Sequence, residues 1–145
     1  MKVTIALRLP RDAASVAITR QILGAELEVL GVEKSITEDI QLMLSEACSN
    51  VIRHAQDVDE YTVSAELVRD KFVITVVDTG NGFDPETAGA GADSPMAESG
   101  RGLQIMRALA DDVRFINRKR KGAIVCLEKA LKFQHDSPGE LLIAP

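Results

Sequence analysis

At 145 residues the chain has the length of one domain, or of one domain with a short tail, and it can bury a core without disulfide or metal staples. A formal charge of −5 argues against a nucleic-acid partner, which rewards a basic surface. No apolar run approaches the ~20 residues needed to span a bilayer. The composition, 46% apolar and 27% charged, is that of a soluble globular protein, and with aromatics at 3% the core is expected to be aliphatic. Cys48 and Cys126 lie in patterned apolar segments and read as small core hydrophobes rather than a disulfide framework. With no charged-then-apolar leader visible, the expected location is the cytoplasm.

Val3, Ile5, Leu7 and Leu9 alternate with other residues and predict a strand that Pro10 ends. Asp12 is placed to cap a helix running to about Leu30, with Gly24 inside it and Gly31 as its stop. A second helix is expected from Thr37, a cap followed by Glu38 and Asp39. Its stripe of Ile40, Met43, Leu44, Ala47, Cys48 and Val51 has helical spacing, and Glu46, Asn50 and His54 follow one another in four-residue steps along one edge of it. These three residues should therefore be partly covered.

Tyr61–Val68 and Phe72–Val77 predict two strands joined tightly through Arg69-Asp70-Lys71. The stretch 84–99 has no period and is rich in glycine, proline and alanine. It reads as a lid inside the domain or as an insertion without a role. A helix over Leu103–Ala110 follows, then a hairpin of Val113–Asn117 and Ala123–Leu127, closed by Gly122 and the basic run Arg118–Lys121, itself read as a solvated turn. The domain is thus expected over 1–131, with 132–145 a C-terminal tail, loosely held from Gln134 to Pro145, in which Leu141, Leu142 and Ile143 could still dock.

Three motifs carry the chemistry. A partly covered Glu46 can accept a proton from an attacking hydroxyl, and the amide oxygen of Asn50, one turn on, is a hard neutral ligand suited to Mg²⁺. Asp78, at the end of a buried strand, can accept the exocyclic amino hydrogen of adenine, which guanine does not offer. Thr79 could add a hydroxyl, and Gly80 and Gly82 let the backbone approach a flat ring. Gly100-Arg101-Gly102 opens a helix, where backbone amides bind phosphate and Arg101 could add charge. Each motif alone also fits a bland reading: a surface glutamate, a turn, a helix start. Ile105 occupies the third glycine position of a dinucleotide fingerprint, and no Walker-type loop is present. His54 has only His135 as a fellow histidine, so a transition-metal site is not expected.

Taken in order, the three motifs resemble those of the GHKL superfamily of ATPases and kinases. Glu46-Ala47-Cys48-Ser49-Asn50 with Val51-Ile52-Arg53-His54-Ala55 resembles its N-box, Asp78–Phe83 its first glycine box, and Gly100–Met106 its second. Over roughly residues 3–131 the chain is most similar to bacterial anti-sigma factor serine/threonine kinases. The resemblance implies an α/β, two-layer Bergerat-type fold with helices on one face of a mixed, mostly antiparallel sheet. It implies ATP and Mg²⁺ as cofactors, Glu46 as general base, Asn50 as the Mg²⁺ ligand and Asp78 as the adenine reader. Arg53, His54, Thr79, Gly80, Gly82, Phe83, Gly100, Arg101, Gly102 and Leu103 would complete the nucleotide site. It also implies two partners, a sigma factor and a STAS-domain antagonist that is phosphorylated. Ala123 and Ile124 depart from the pattern, which often has a hydroxyl residue after the glycine equivalent to Gly122.

Two rivals stand beside this reading. One is a non-catalytic ATP-binding module that sequesters a partner. The other is the ATP-binding domain of a histidine kinase, which needs a phosphoacceptor helix that the sequence does not display. The first helix, with Arg11 and Arg20, is expected to be exposed enough for partner contacts or a homodimer.

Overall fold

A computed structural model describes residues 2–54, 60–78, 99–118 and 122–144. The chain runs β1 (Lys2–Pro10), α1 (Ala14–Leu30), α2 (Lys34–His54), β2 (Glu60–Val68), β3 (Lys71–Asp78), α3 (Ser99–Leu109), β4 (Asp112–Arg118), β5 (Gly122–Ala130) and α4 (Pro138–Ile143). The strands form one sheet in the order β1-β2-β3-β5-β4, antiparallel at every described pairing. Period-two alternation turns Val63, Ala65, Leu67, Phe72, Ile74, Val76, Val125 and Leu127 to one face, where they are buried. The helices cover that face with Leu23, Leu27, Ile40, Met43, Leu44, Ala47 and Met106. The result is the expected two-layer α/β arrangement.

Gly31 ends α1 in the left-handed region, φ 82°, and its N–H bonds back to Glu28. Gly24, inside α1 as expected, lies where α2 crosses. A Cβ there would meet the Gln41 amide nitrogen at 2.3 Å. Asp12 acts one place before the cap, accepting the Ala14 N–H at 2.8 Å, while Ala13 is already helical in backbone.

Two expectations need correction. Helix α2 starts at Lys34 rather than Thr37, because the Glu33 N–H bonds to the Lys132 carbonyl and the Glu33 carbonyl accepts from Ile36 and Thr37. Thr37 is thus inside the first turn, and its hydroxyl is buried without a partner among the described residues. The tail, expected to be loose, is docked. Phe133 bridges to Val32, Gln134 N–H donates to the Gly31 carbonyl, and Ser137 caps α4 by accepting from Glu140. Leu142 packs against the core. The lid segment lies outside the described residues, apart from Ser99, which already belongs to α3.

Candidate nucleotide and phosphotransfer site

The ends of β1 and β3, the start of β2 and the last turns of α2 converge at one rim of the sheet. The register places Leu9 opposite Tyr61 and Tyr61 opposite Asp78, in one row across three strands. Asp78 closes β3 and is 1% exposed. Its carboxylate lies on the helix-covered face of the sheet, in line with Phe72, Ile74 and Val76.

Glu46 and Asn50 project from successive turns of α2. Glu46 is half-buried, and Asn50 is 2% exposed. The first turn of α3 packs onto both. A Cβ on Gly102 would lie 2.9 Å from Glu46 Oε2, 3.6 Å from Asn50 Oδ1 and 3.7 Å from Asn50 Nδ2. Only a residue without a side chain leaves this space open, so the second glycine motif presents bare backbone to the N-box pair. The Asn50 Oδ1 atom is buried and finds no hydrogen-bond partner among the described residues. Leaving a buried acceptor unpaired costs ~1–3 kcal/mol, which a hard cation would relieve. Asn50 therefore fits a Mg²⁺ ion by donor type and by its open valence.

Leu103 is buried beside Gly102, and Arg101 is exposed at the start of α3. At the other end of α3, the Lys129 ammonium donates to the Leu109 carbonyl, fixing the helix against β5. Arg53 is exposed on the last turn of α2. The backbones of His54 and Gly100 belong to α2 and α3, but the His54 side chain lies outside the description. Thr79, Gly80, Gly82 and Phe83 lie outside the described residues, as does the basic turn at 119–121.

Two features escaped the sequence reading. Arg11, expected on the outside for partners, is half-buried. Its Nε and Nη2 donate to the Ile52 carbonyl at 3.0 and 2.7 Å. Arg20 remains exposed, and its carbonyl accepts from Gln41 Nε2 at 3.2 Å. The second feature is a buried polar chain. Ser15 Oγ donates to the Asp12 carbonyl at 2.7 Å and lies 2.5 Å from the Tyr61 hydroxyl, which must then be the donor in that pair. Cys48 lies within hydrogen-bonding reach of the same hydroxyl, and burial pushes its thiol up to about 12. Cys48 is thus an inert core residue, as expected. Burial first, then the neighbouring Cys48, raises Tyr61 likewise to about 12. No local pattern marks either feature, since their partners stand up to 46 positions away.

A groove of about 790 Å³ between α1 and α2, lined by Gln21, Glu28, Lys34, Thr37, Gln41 and Gln134, contains none of the motif residues.

Residues 9–129 match the profile of the histidine kinase-like ATPase domain. Serine-protein kinase RsbW of Bacillus cereus is 30% identical over 123 residues, covering 78% of this chain and 77% of that one. The RsbW of Bacillus licheniformis is 31% identical over 140 residues, 80% of this chain and 88% of its own. Among solved structures, the RsbU and RsbW domains of Rv1364c from Mycobacterium tuberculosis superpose with a TM-score of 0.70 at 21% identity, over 89% of this chain and 32% of that protein. The SiaB–SiaC complex from Pseudomonas aeruginosa gives 0.62 at 16% identity, over 88% of each chain. These two likenesses bear on the fold alone. With Gly102 packed onto Glu46 and Asn50 and the profile spanning most of the chain, the protein belongs to the histidine kinase-like ATPase (GHKL) family, among its serine-protein kinases.

Proposed function

We propose that the protein transfers the γ-phosphoryl group of ATP to a serine or threonine of a STAS-domain antagonist, and that it sequesters a sigma factor when that antagonist is phosphorylated. The observation that carries this reading is the packing of Gly102 onto Glu46 and Asn50, which puts a base, a metal ligand and a bare helix start within contact of one another. Glu46 takes the proton of the attacking hydroxyl. Asn50 holds Mg²⁺, which when bound neutralises and orients phosphate oxygens. Asp78 accepts from the adenine amino group, with Thr79, Gly80, Gly82 and Phe83 around the base. Gly100, Arg101, Gly102 and Leu103 form the phosphate side, and Arg53 and His54 border it from α2.

A homodimer is part of the proposal. Helix α1 exposes Ile18, Ile22 and Val29 at 46%, 38% and 72%, beside the edge strand β1. Such a row of apolar side chains next to unpaired strand edge suits a second copy. A sigma factor as client places the protein in the cytoplasm. No described helix is long and apolar enough to cross a membrane.

The test is phosphoryl transfer from Mg·ATP to candidate STAS-domain acceptors, with phosphoserine and phosphothreonine read by mass spectrometry. The wild type is expected to modify one acceptor. Glu46→Ala should bind ATP normally and transfer ~10²–10⁴-fold more slowly, the usual loss of a general base. Equal transfer by the variant would remove Glu46 from its role. Sigma-factor binding without transfer to any acceptor would replace the kinase by a non-catalytic sequestering module.

A further inference from the structure

We infer that Arg11 is a positioning residue for the metal ligand: by clamping the Ile52 carbonyl it holds the last turn of α2, and with it Asn50, in the geometry that binds Mg²⁺. This inference rests on the reading of Asn50 as the metal ligand.

The last carbonyls of a helix lack intrahelical partners and carry the negative end of its dipole. Ile52 lies in the last described turn of α2, two residues before His54. Its carbonyl receives two N–H groups from one guanidinium, at 3.0 and 2.7 Å. Among the described residues Arg11 forms no ion pair with a carboxylate, so its charge is directed at this helix end. A forked donor on a single carbonyl fixes direction as well as distance.

The base of the clamp is rigid. Arg11 follows Pro10 at the end of β1. The next residue, Asp12, donates its N–H to the Pro10 carbonyl at 2.9 Å, accepts the Ala14 N–H on its carboxylate and accepts the Ser15 hydroxyl on its carbonyl. Ser15 is tied in turn to buried Tyr61. Arg11 thus projects from a segment held by the sheet, and it reaches 41 residues along the chain to α2.

Position on the helix decides which site residue depends on it. In an α-helix the carbonyl of residue 50 bonds to the N–H of residue 54, so loosening of the turn that holds Ile52 acts on Asn50 directly. Glu46 is a full turn further in and stays held. Loss of the clamp should therefore weaken the metal-dependent part of ATP binding and leave the metal-free part alone.

The experiment is calorimetric titration of ATP, with and without Mg²⁺, into the full chain as wild type, Arg11→Met, Arg11→Lys and Asn50→Ala. Removing a residue that orients a metal ligand typically costs about 10–100-fold. Arg11→Met should lose that factor in the presence of Mg²⁺ and stay within about twofold of wild type without it. Arg11→Lys, which keeps the charge but loses the planar fork, should fall between the two, and it carries the test if the Met variant does not fold. An unchanged Mg²⁺ dependence in Arg11→Met, or an equal loss with and without Mg²⁺, would overturn the inference. If Asn50→Ala keeps the full Mg²⁺ dependence, the reading of Asn50 fails instead.

Discussion

Gly102→Ala separates catalysis from stability at a single atom. The added Cβ would stand 2.9 Å from Glu46 Oε2, but 3.6 and 3.7 Å from the amide atoms of Asn50. Ordinary contact begins near 3.4 Å, so the carboxylate must retreat by about 0.5 Å while Asn50 has room to stay. A misplacement of 1 Å costs ~10²-fold, so half of it corresponds to about tenfold in rate, or about 1.4 kcal/mol of barrier. The same substitution sits in the first turn of α3 with helical backbone, where alanine is better than glycine by up to ~1 kcal/mol. The melting temperature should therefore hold or rise as phosphoryl transfer falls. The assay pairs thermal unfolding with single-turnover transfer from Mg·ATP to the acceptor. A variant that transfers at the wild-type rate would show that Glu46 does not work from the position seen here. A variant that loses activity and stability together would point to general disruption of α3.

Two further predictions concern the fold. Glu26 on α1 buries both carboxylate oxygens without a partner among the described residues, and desolvation pushes its pKa from the ordinary 4.5 up to about 7. The folded state then holds this proton more tightly than the unfolded chain, so stability is greatest below about pH 4.5 for this group and declines as pH rises to about 7. Allowing for its partial exposure the effect is about 1–3 kcal/mol, and urea unfolding of Glu26→Gln should lack this slope. Parallel pH profiles for the two proteins would count against it. Gly139→Ala would set a Cβ 2.2 Å from the Phe133 ring and 2.6 Å from the Leu30 carbonyl, so α4 should undock. Limited proteolysis is then expected to cut between residues 131 and 138 in the variant while sparing the wild type, and equal resistance would refute the clash.

What the sequence by itself determined is whatever neighbouring residues encode. Alternation in Val3–Leu9 and Tyr61–Val68, the apolar stripe of α2 and the stop at Gly31 each arise from local geometry, and each has its counterpart in the structure. The edge position of Glu46 and Asn50 was legible for the same reason, since four-residue steps on a helix place both on one side. Tertiary structure decided the contacts between distant segments. It brought Gly102 onto Glu46 and Asn50, turned Arg11 from the surface to the Ile52 carbonyl, set Tyr61 between Ser15 and Cys48, and drew the tail across the end of α1. It also began α2 three residues early, because the Lys132 carbonyl captures the Glu33 N–H. Hydrogen-bond donors and acceptors of the backbone are alike at every residue except proline, which lacks the N–H. Which of them meet depends on strand register and helix crossing, and those are properties of the assembled core rather than of any local run of side chains.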